Sequence, residues 1–545
     1  MAFQLSPSVL VTETDLTSII PAVSESNCAM VGAFYWGPVN TITEVSNETQ
    51  LTQVFGKPDN SLYLDFFCAS SFLSYASNLQ IIRVLGATGA LNATNEGDGI
   101  LVKNQNDYNT KVFSSDDFVF IAKWPGVFGN NIGVAWTDTT GYNAVDSNDE
   151  PVWPYTSLFS SAPATNEFHI VVYDATGVIT GTAGTILETW PFLSTQTNAL
   201  YYDGTSAYFL TKINSGSQWL WVGKTSLLTG SNNGVALSGG NNGIGVVDGD
   251  REGGLALFLD TASVDIDLII QSGGSTNVGQ YIIQDIAEVR LDCVAFVSPA
   301  QSDVVNIFSE DTALTNILAT RNSFGSSSYA VMDSAWKLMY DRYNNVNRWI
   351  PLNGDIAGLC AQTDNTNDPW FSPAGLNRGG IKNCIQLSNT EGQATRDTLY
   401  QAGINPVVNF PLNGPVLFGD KTLQARPSAF DRINVRRLFI VLEKAIATAA
   451  KYQLFELNDA YTQAAFLNAV EPFLRTVQGR RGITDFAVVC DSSNNTPQVV
   501  DANQFVASIY IKPTRSINFI QLNFVALATG VDFSEVVQGA TTSSS

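Results

Sequence analysis

VDIDLIIQSGGSTNVGQYIIQDIAEVRLDCVAFV, running from Val264 to Val297, changes its hydrophobic period twice. Val264, Ile266, Leu268 and Ile270 recur at every second position, with Asp265 and Asp267 between the first three, the spacing of a strand. Val278, Ile282, Ile286 and Val289 then recur three or four apart, the spacing of a helix with one apolar face. Leu291 to Val297 returns to the short apolar run of a second strand. Strand, helix and strand in so short a span predict a parallel pair joined by a right-handed crossover, and hence an α/β core.

The same texture recurs upstream. Residues 21–86 read as mixed α/β: a strand over Ala29 to Phe34, the turn Trp36-Gly37-Pro38, a helical stretch from Tyr63 to Tyr75, and the strand LQIIRVL ending at Leu85. From 87 to 255 the chain shifts to short strands, polar loops and many aromatics, among them Trp124, Trp136, Trp153, Trp219 and Trp221. That pattern predicts an all-β insertion closed by the glycine-rich run from Gly230 to Gly254, read as a boundary loop. Downstream, Asn434 is placed to cap a helix reaching about Tyr452, with Val435, Leu438, Phe439, Leu442, Ile446 and Ala449 on one face. A further helix spans about Asp459 to Gln478 and stops at Gly479. Two strands follow, Phe505–Lys512 and Ile517–Leu527.

The N-terminal FQLSPSVLV is extended and lacks a local partner. Phe3, Leu5, Val9 and Val11 fall on one side of it, and Pro7 confines it to a sheet edge. It pairs either with the chain's own sheet or with the edge of a neighbouring molecule, and periodicity alone weighs the two equally.

The 545 residues are 45% hydrophobic and only 14% charged, a globular composition sufficient for two to four domains. No apolar run approaches the ~20 residues of a membrane span. The N-terminus lacks the basic segment and apolar core of a secretion signal, and six scattered cysteines without a C-x-x-C pair point to a reducing cytoplasm. Twenty-eight Lys+Arg against 50 Asp+Glu give a net charge of −22, which disfavours nucleic acid and anionic membranes as partners. Residues 421–545 differ, with 12 basic residues against 10 acidic ones, and could face an acidic partner.

Catalytic signals are weak. His169 is the single histidine and sits in the strand-like FHIVVYD, where a structural role is the ordinary one. WVGKTSLL fails as a phosphate loop because Gln218 stands where its first glycine belongs. Asp248, Asp250 and Glu252 resemble half of a calcium loop, but Leu259 occupies the position of the bidentate glutamate. Asp116 and Asp117 are adjacent and so point to opposite sides of a strand. These readings imply no enzyme, cofactor or metal.

Three regions carry a family resemblance. SPSVLVTETDLTSIIPAVSESNCAMVGAFYWGPVN with the FGKP at Phe55 to Pro58, then WFSPAGLNRGGI at Trp370 to Ile381, are the first two. The third runs from LYQAGINPVVNF through SAFDRINVRRLFIVLEKAI, LFELND, GRRGITDFAVVCDSSNNTP and IYIKPTRSINFI. Together they resemble the tail sheath proteins of contractile-tailed bacteriophages (myoviruses), although Pro7-Ser8-Val9 stands where that family usually has Pro-Gly-Val. The resemblance covers roughly residues 1–86 and 255–540.

It implies an α+β multidomain structural protein whose mixed α/β core is built from N- and C-terminal segments around the insertion. The implied division is an N-terminal arm (1–20), a first core segment (21–86), an outward-facing insertion (87–255), a second core segment (256–515), and a C-terminal strand and arm (516–545). Implied partners are further copies of the chain in stacked hexameric rings, the tail tube, and baseplate and terminator proteins, with neither direct nucleic-acid contact nor membrane insertion. Arm exchange would use Phe3, Leu5, Val9 and Val11 with Ile509, Ile511, Ile517, Phe519, Ile520, Leu522 and Phe524. Arg436, Arg437, Lys444, Lys451, Arg480 and Arg481 are the tube-facing candidates, with Arg436, Lys444 and Lys451 first because they lie off the apolar face of their helix. The sheath of a phage-derived injection particle is the near alternative; a surface adhesin or an α/β hydrolase are the remoter ones.

Overall fold

The computed structural model describes residues 26–111, 113, 119–223 and 230–518. The described chain enters a sheet almost at once, through β1 (Cys28–Gly32), followed by the short β2 (Thr43–Val45), helix α1 (Tyr63–Leu73) and β3 (Leu79–Arg83). Every residue of β1 and β3 is buried, and side chains alternate between two separate apolar clusters. Cys28, Met30, Leu79 and Ile81 point to one, and Ala29, Val31 and Ile82 to the other. Burial on both faces is what a parallel sheet sandwiched by helices requires.

The segment after β3 forms a second unit. Its main sheet has four antiparallel strands, β4 (Ile132–Thr137), β5 (Glu167–Asp174), β6 (Ile186–Ser194) and β7 (Asn232–Ala236), in the order β7-β4-β5-β6. It is not purely β: short helices occur at Gln105–Thr110, Thr139–Tyr142 and Phe209–Gly216. Arg83, buried at the end of β3, ties the two units together. Its guanidinium donates to the carbonyls of Phe34 (2.9 Å), Gly37 (2.7 Å) and Pro125 (2.8 Å). Trp36 stacks on Trp219 across the same seam.

The expected glycine-rich boundary loop contains the strand β7 and is helical over its last seven residues. Helix α2 (Asp248–Leu255) lies on the core sheet, with Leu255 in the cluster of Ala29 and Val31 and Arg251 paired to buried Asp65 at 2.7 Å. Its glycine allows the close approach: a Cβ on Gly254 would stand 2.6 Å from Val84. The insertion therefore ends before Asp248 rather than at 255. The would-be calcium ligands are occupied at the same place, since Asp250 accepts from the Val247 amide and Asp248 from the Ser275 hydroxyl.

Beyond α2 the sheet resumes with β8 (Leu268–Ile270), β9 (Val294–Val297) and β10 (Ala330–Asp333), interrupted by α3 (Asn353–Thr366), and then β11 (Ile404–Asn405). The seven strands run β11-β10-β9-β8-β1-β3-β2, all parallel except for β2 against β3. The parallel pair read from Val264–Val297 is present as β8 and β9, in register Leu268↔Val294. Its crossover helix departs from the expected face. A π-helical stretch at Ile282–Ala287 follows the α-turns of Thr276–Tyr281. Each π-turn takes an extra residue, so the phase slips: Val278, Ile282 and Ile286 are buried, Val289 is 63% exposed, and Arg290 turns inward to the Val264 carbonyl.

The chain closes with α4 (Ile433–Lys451), α5 (Ala460–Gly479), β12 (Ile483–Val489) and β13 (Ser508–Pro513). Asp459 caps α5 by accepting from the Thr462 amide at 2.9 Å. Asn434 caps nothing: α4 begins one residue earlier, and Asn434 is buried within it, donating to the Trp370 carbonyl. Gly479 is the last residue of α5, and the left-handed turn that stops it is made by Arg481 (φ 69).

Candidate assembly interface

The C-terminal strands form a ribbon of only two. β12 and β13 pair antiparallel, Phe486↔Ile511 and Val488↔Ile509, and those four side chains pack with Phe466, Leu474 and Val477 of α5. Asp485, Ala487, Tyr510 and Lys512 form the exposed outer face. Each strand keeps one edge with no ladder partner among the described residues. Upstream of β13, the Asn495 side chain imitates a strand, donating to the Val506 carbonyl and accepting from its amide, both at 2.8 Å.

The sequence pattern pairs Phe505–Lys512 with Ile517–Leu527; within the described residues its partner is β12. A register slip between Ile483 and Asp485 sets the inward positions at 483, 486 and 488 and breaks the period of two that would have announced the strand. Ile509 and Ile511 face α5. Ile517 is 82% exposed, while its neighbours Ser516 and Asn518 donate to Asp420 and Tyr400 at 2.7 Å. Phe3, Leu5, Val9, Val11, Phe519, Ile520, Leu522 and Phe524 lie outside the described residues.

Of the six basic candidates, three are turned inward because α4 is buried on two sides. Leu438, Leu442 and Ile446 pack toward α5, whereas Ile433 and Ile440 belong to the core cluster. Arg437 and Lys444 share the helical stripe of Ile433 and Ile440, so they face the core rather than a tube. Arg437 is buried and ion-paired with Asp364. Lys444 holds Asp265 at 2.8 Å and Asp267 at 2.7 Å. Arg436 is also buried, stacked over Tyr329 and Phe430 with hydrogen bonds to Ser328 and Tyr329. Lys451, Arg480 and Arg481 are exposed, and Arg480 is paired with Asp368 at 2.7 Å.

Open α/β sheets bind ligands in the crevice beyond the carboxyl ends of their strands. Here that place is filled from within. Asn353, at the start of α3, donates its backbone N–H to Ser298 Oγ (3.0 Å) and its side-chain amide to the Ser272 carbonyl (3.1 Å). Ser298 donates to Asp333 Oδ2 at 2.5 Å. Burial pushes the Asp333 carboxyl up to about 8, so it is protonated at neutral pH. All four residues are buried, and the arrangement locks three strand ends to a helix. His169 is equally committed: its Nδ1 accepts from the Phe192 amide, which leaves Nε2–H to donate to the Ser161 carbonyl at 2.8 Å. Its ring stacks on Phe159.

An internally bonded α+β body that ends, among the described residues, in an open-edged ribbon is a building-block design. Comparison with known proteins agrees. Residues 259–423 match the phage tail sheath protein central domain, and residues 425–526 the phage tail sheath C-terminal domain. The chain is 33% identical to the tail sheath protein of Vibrio phage KVP40, over 98% of this chain and 99% of that one. It is 31% identical to the tail sheath protein of Enterobacteria phage T4, again over 98% and 99%. The fold is shared with the sheath tail protein Lin1278 of Listeria innocua, with TM-score 0.54, 12% identity, and coverage of 90% of this chain and 96% of that one. A sheath tail protein from Desulfitobacterium hafniense gives TM-score 0.52 at 13% identity, covering 93% and 100%. The chain belongs to the phage tail sheath protein family. It is a structural subunit of a phage tail sheath and so a component of the virion tail.

Proposed function

We propose that copies of this chain stack as six-membered rings around a tail tube, and that the sheath so formed shortens, when triggered at a baseplate, to drive the tube through the host envelope. The observation that supports this most is the near full-length similarity to phage sheath subunits. The free edges of β12 and β13 add a physical means. A donated N-terminal strand from one subunit, carried by Phe3, Leu5, Val9 and Val11, adds to the ribbon of the next. Strand donation to a neighbour does not close on itself, so it propagates as rings or helices. Residues near 516–545, including Ile517, Phe519, Ile520, Leu522 and Phe524, belong to the same exchange.

Main-chain bonds at the arm persist while the bodies rotate, and tethering keeps neighbours at high effective concentration. Residues 1–20 are the arm and the unit of β4–β7 is displayed outward. Lys451, Arg480 and Arg481 are the basic residues left to meet an acidic tube, through contacts that salt weakens. The energy of contraction is stored at assembly in an extended lattice trapped above a better-packed one. Subunits are made in the host cytoplasm, and terminator and baseplate proteins close the two ends.

Removing residues 1–14 tests this reading. The shortened chain is expected to remain soluble, with the circular dichroism and melting of the parent, and to form no tubes in negative-stain micrographs. Tubes of normal length would overturn it.

A further inference from the structure

Arg437 and Lys444, two of the six tube-facing candidates, lie beside Ser26 and Asn27, the first described residues of the chain. Arg437 Nη2 lies 3.3 Å from Ser26 Oγ and is ion-paired with Asp364. Ser26 Oγ donates to that same carboxylate. Arg437 Nη1 reaches the Cys360 carbonyl of α3 at 3.3 Å. Two turns further along α4, Lys444 Nζ donates to Asp265 (2.8 Å), to Asp267 (2.7 Å) and to the Ile266 carbonyl (2.7 Å). Asp267 in turn accepts from the Asn27 amide at 3.1 Å, and the Asn27 carbonyl accepts from the amides of Asp267 and Leu268. Asn27 is thus fastened through its backbone, independently of side-chain identity.

The ladder of β1 begins at the very next residue, Cys28, paired with Leu268 and Leu79. A pull on residues 1–25 would otherwise reach the end of that ladder first and open it one bond at a time. The charged cluster stands in the way. Its bonds run to α3, α4 and the entry of β8 together, and charge-assisted hydrogen bonds are about twice as strong as neutral ones.

We infer that Arg437 and Lys444 are positioning residues for the N-terminal arm: they clamp Ser26 and Asn27 to α3, α4 and the entry of β8, so that load on the arm is shared by the body before it reaches β1. The mechanical meaning rests on the reading of residues 1–25 as a donated arm, whereas the clamp itself is a property of the single subunit.

The test is hydrogen exchange on the full chain with the double variant Ser26→Ala, Lys444→Met. The amides of Asn27, Asp267 and Leu268 are expected to exchange at least about tenfold faster, while those of Ile81 and Val331 keep their parental rates. Tubes of the variant should break into shorter pieces under sonication that parental tubes survive. Unchanged exchange at Asn27 overturns the inference, as does acceleration spread evenly over the sheet, which marks the residues as general stabilisers. Should the double variant fail to fold, Ser26→Ala alone leaves the buried charges paired, and exchange at Asn27 decides in the same way. Tubes formed by the chain lacking residues 1–14 would defeat the arm reading without touching the exchange result, so the two failures are distinguishable.

Discussion

The seven-stranded sheet and the two-stranded ribbon are built by opposite rules. In the sheet every strand of the centre is covered on both faces, the strand ends are plugged by Asn353, Ser298 and Asp333, and charges such as Arg251 and Asp65 are paired inside. The ribbon has one covered face, one wet face and, among the described residues, two unshared edges. An isolated two-stranded ribbon is marginal in water, and this one is supported by the apolar cluster it shares with α5. Among the described residues the sheet's central strands are all paired on both sides, and neither strand of the ribbon is.

Matched truncations should separate the two most sharply. Phe296→Ala, at a fully buried position of β9, is expected to cost about 3–5 kcal/mol, and Ile511→Ala on the half-covered ribbon only about 1–2 kcal/mol. Urea titrations of the two variants check the ranking. Equal losses would show the ribbon to be as integral to the subunit as the sheet.

The plugged strand ends carry a pH signature that the ribbon lacks. Burial raises Asp333 to about 8 and Glu391 to about 7. The folded protein then holds protons that the unfolded chain releases near pH 4, so their contribution to stability falls as pH rises from about 4 to about 8. Asp65 works in the other direction. Burial would raise its carboxyl, but Arg251 and hydrogen bonds from Ser272 and Ala33 hold it below the ordinary value, so its contribution is lost only as pH drops beneath about 4. Asp333→Asn should flatten the upper limb and stabilise the protein at pH 8 by roughly 3–4 kcal/mol relative to its effect at pH 5. Melting curves across pH 4–9 would show it; a parallel pair of curves would not.

How legible all this was in the sequence follows the same division. The parallel pair of Val264–Val297, the α1 stretch and the span of α5 are local patterns, and each is present at nearly the expected residues. What misled were positions decided by tertiary partners. Lys444 looked solvated because a single apolar stripe was read on α4, but the helix has two buried stripes, and the second carries Arg437 and Lys444 because Asp364, Asp265 and Asp267 neutralise them. The helix at Asp248–Leu255 was hidden by its glycines, of which Gly254 is the one whose small size lets it lie against Val31 and Val84. Strand β12 was hidden by its bulge, and no periodicity argument reads through an extra residue.

Asp459→Ala moves the comparison to the support beneath the ribbon. Its carboxylate accepts from the Thr462 amide at the start of α5, the helix on which β12 and β13 lie. Loss of such a cap costs about 1 kcal/mol, and here the loss should be felt by the ribbon before the sheet. Exchange of the ribbon amides should quicken while those of β9 hold. If both quicken together, the two regions unfold as one unit.

The smallest effect is expected at Lys512. Its ammonium lies 3.9 Å from Asp485, with both side chains about three-quarters open to water. At that exposure the Coulomb gain is screened and offset by side-chain entropy, so Lys512→Ala should change subunit stability by less than about 0.5 kcal/mol. Its importance lies at the edge. A lysine on an open strand discourages indiscriminate pairing, because any strand that docks beside it must bury or displace a hydrated charge. The variant should therefore melt like the parent yet associate without order, giving rising light scattering at concentrations where the parent stays clear. A loss of stability with no change in scattering would instead mean that the ion pair holds the ribbon together, and that the open edges are guarded by something other than charge.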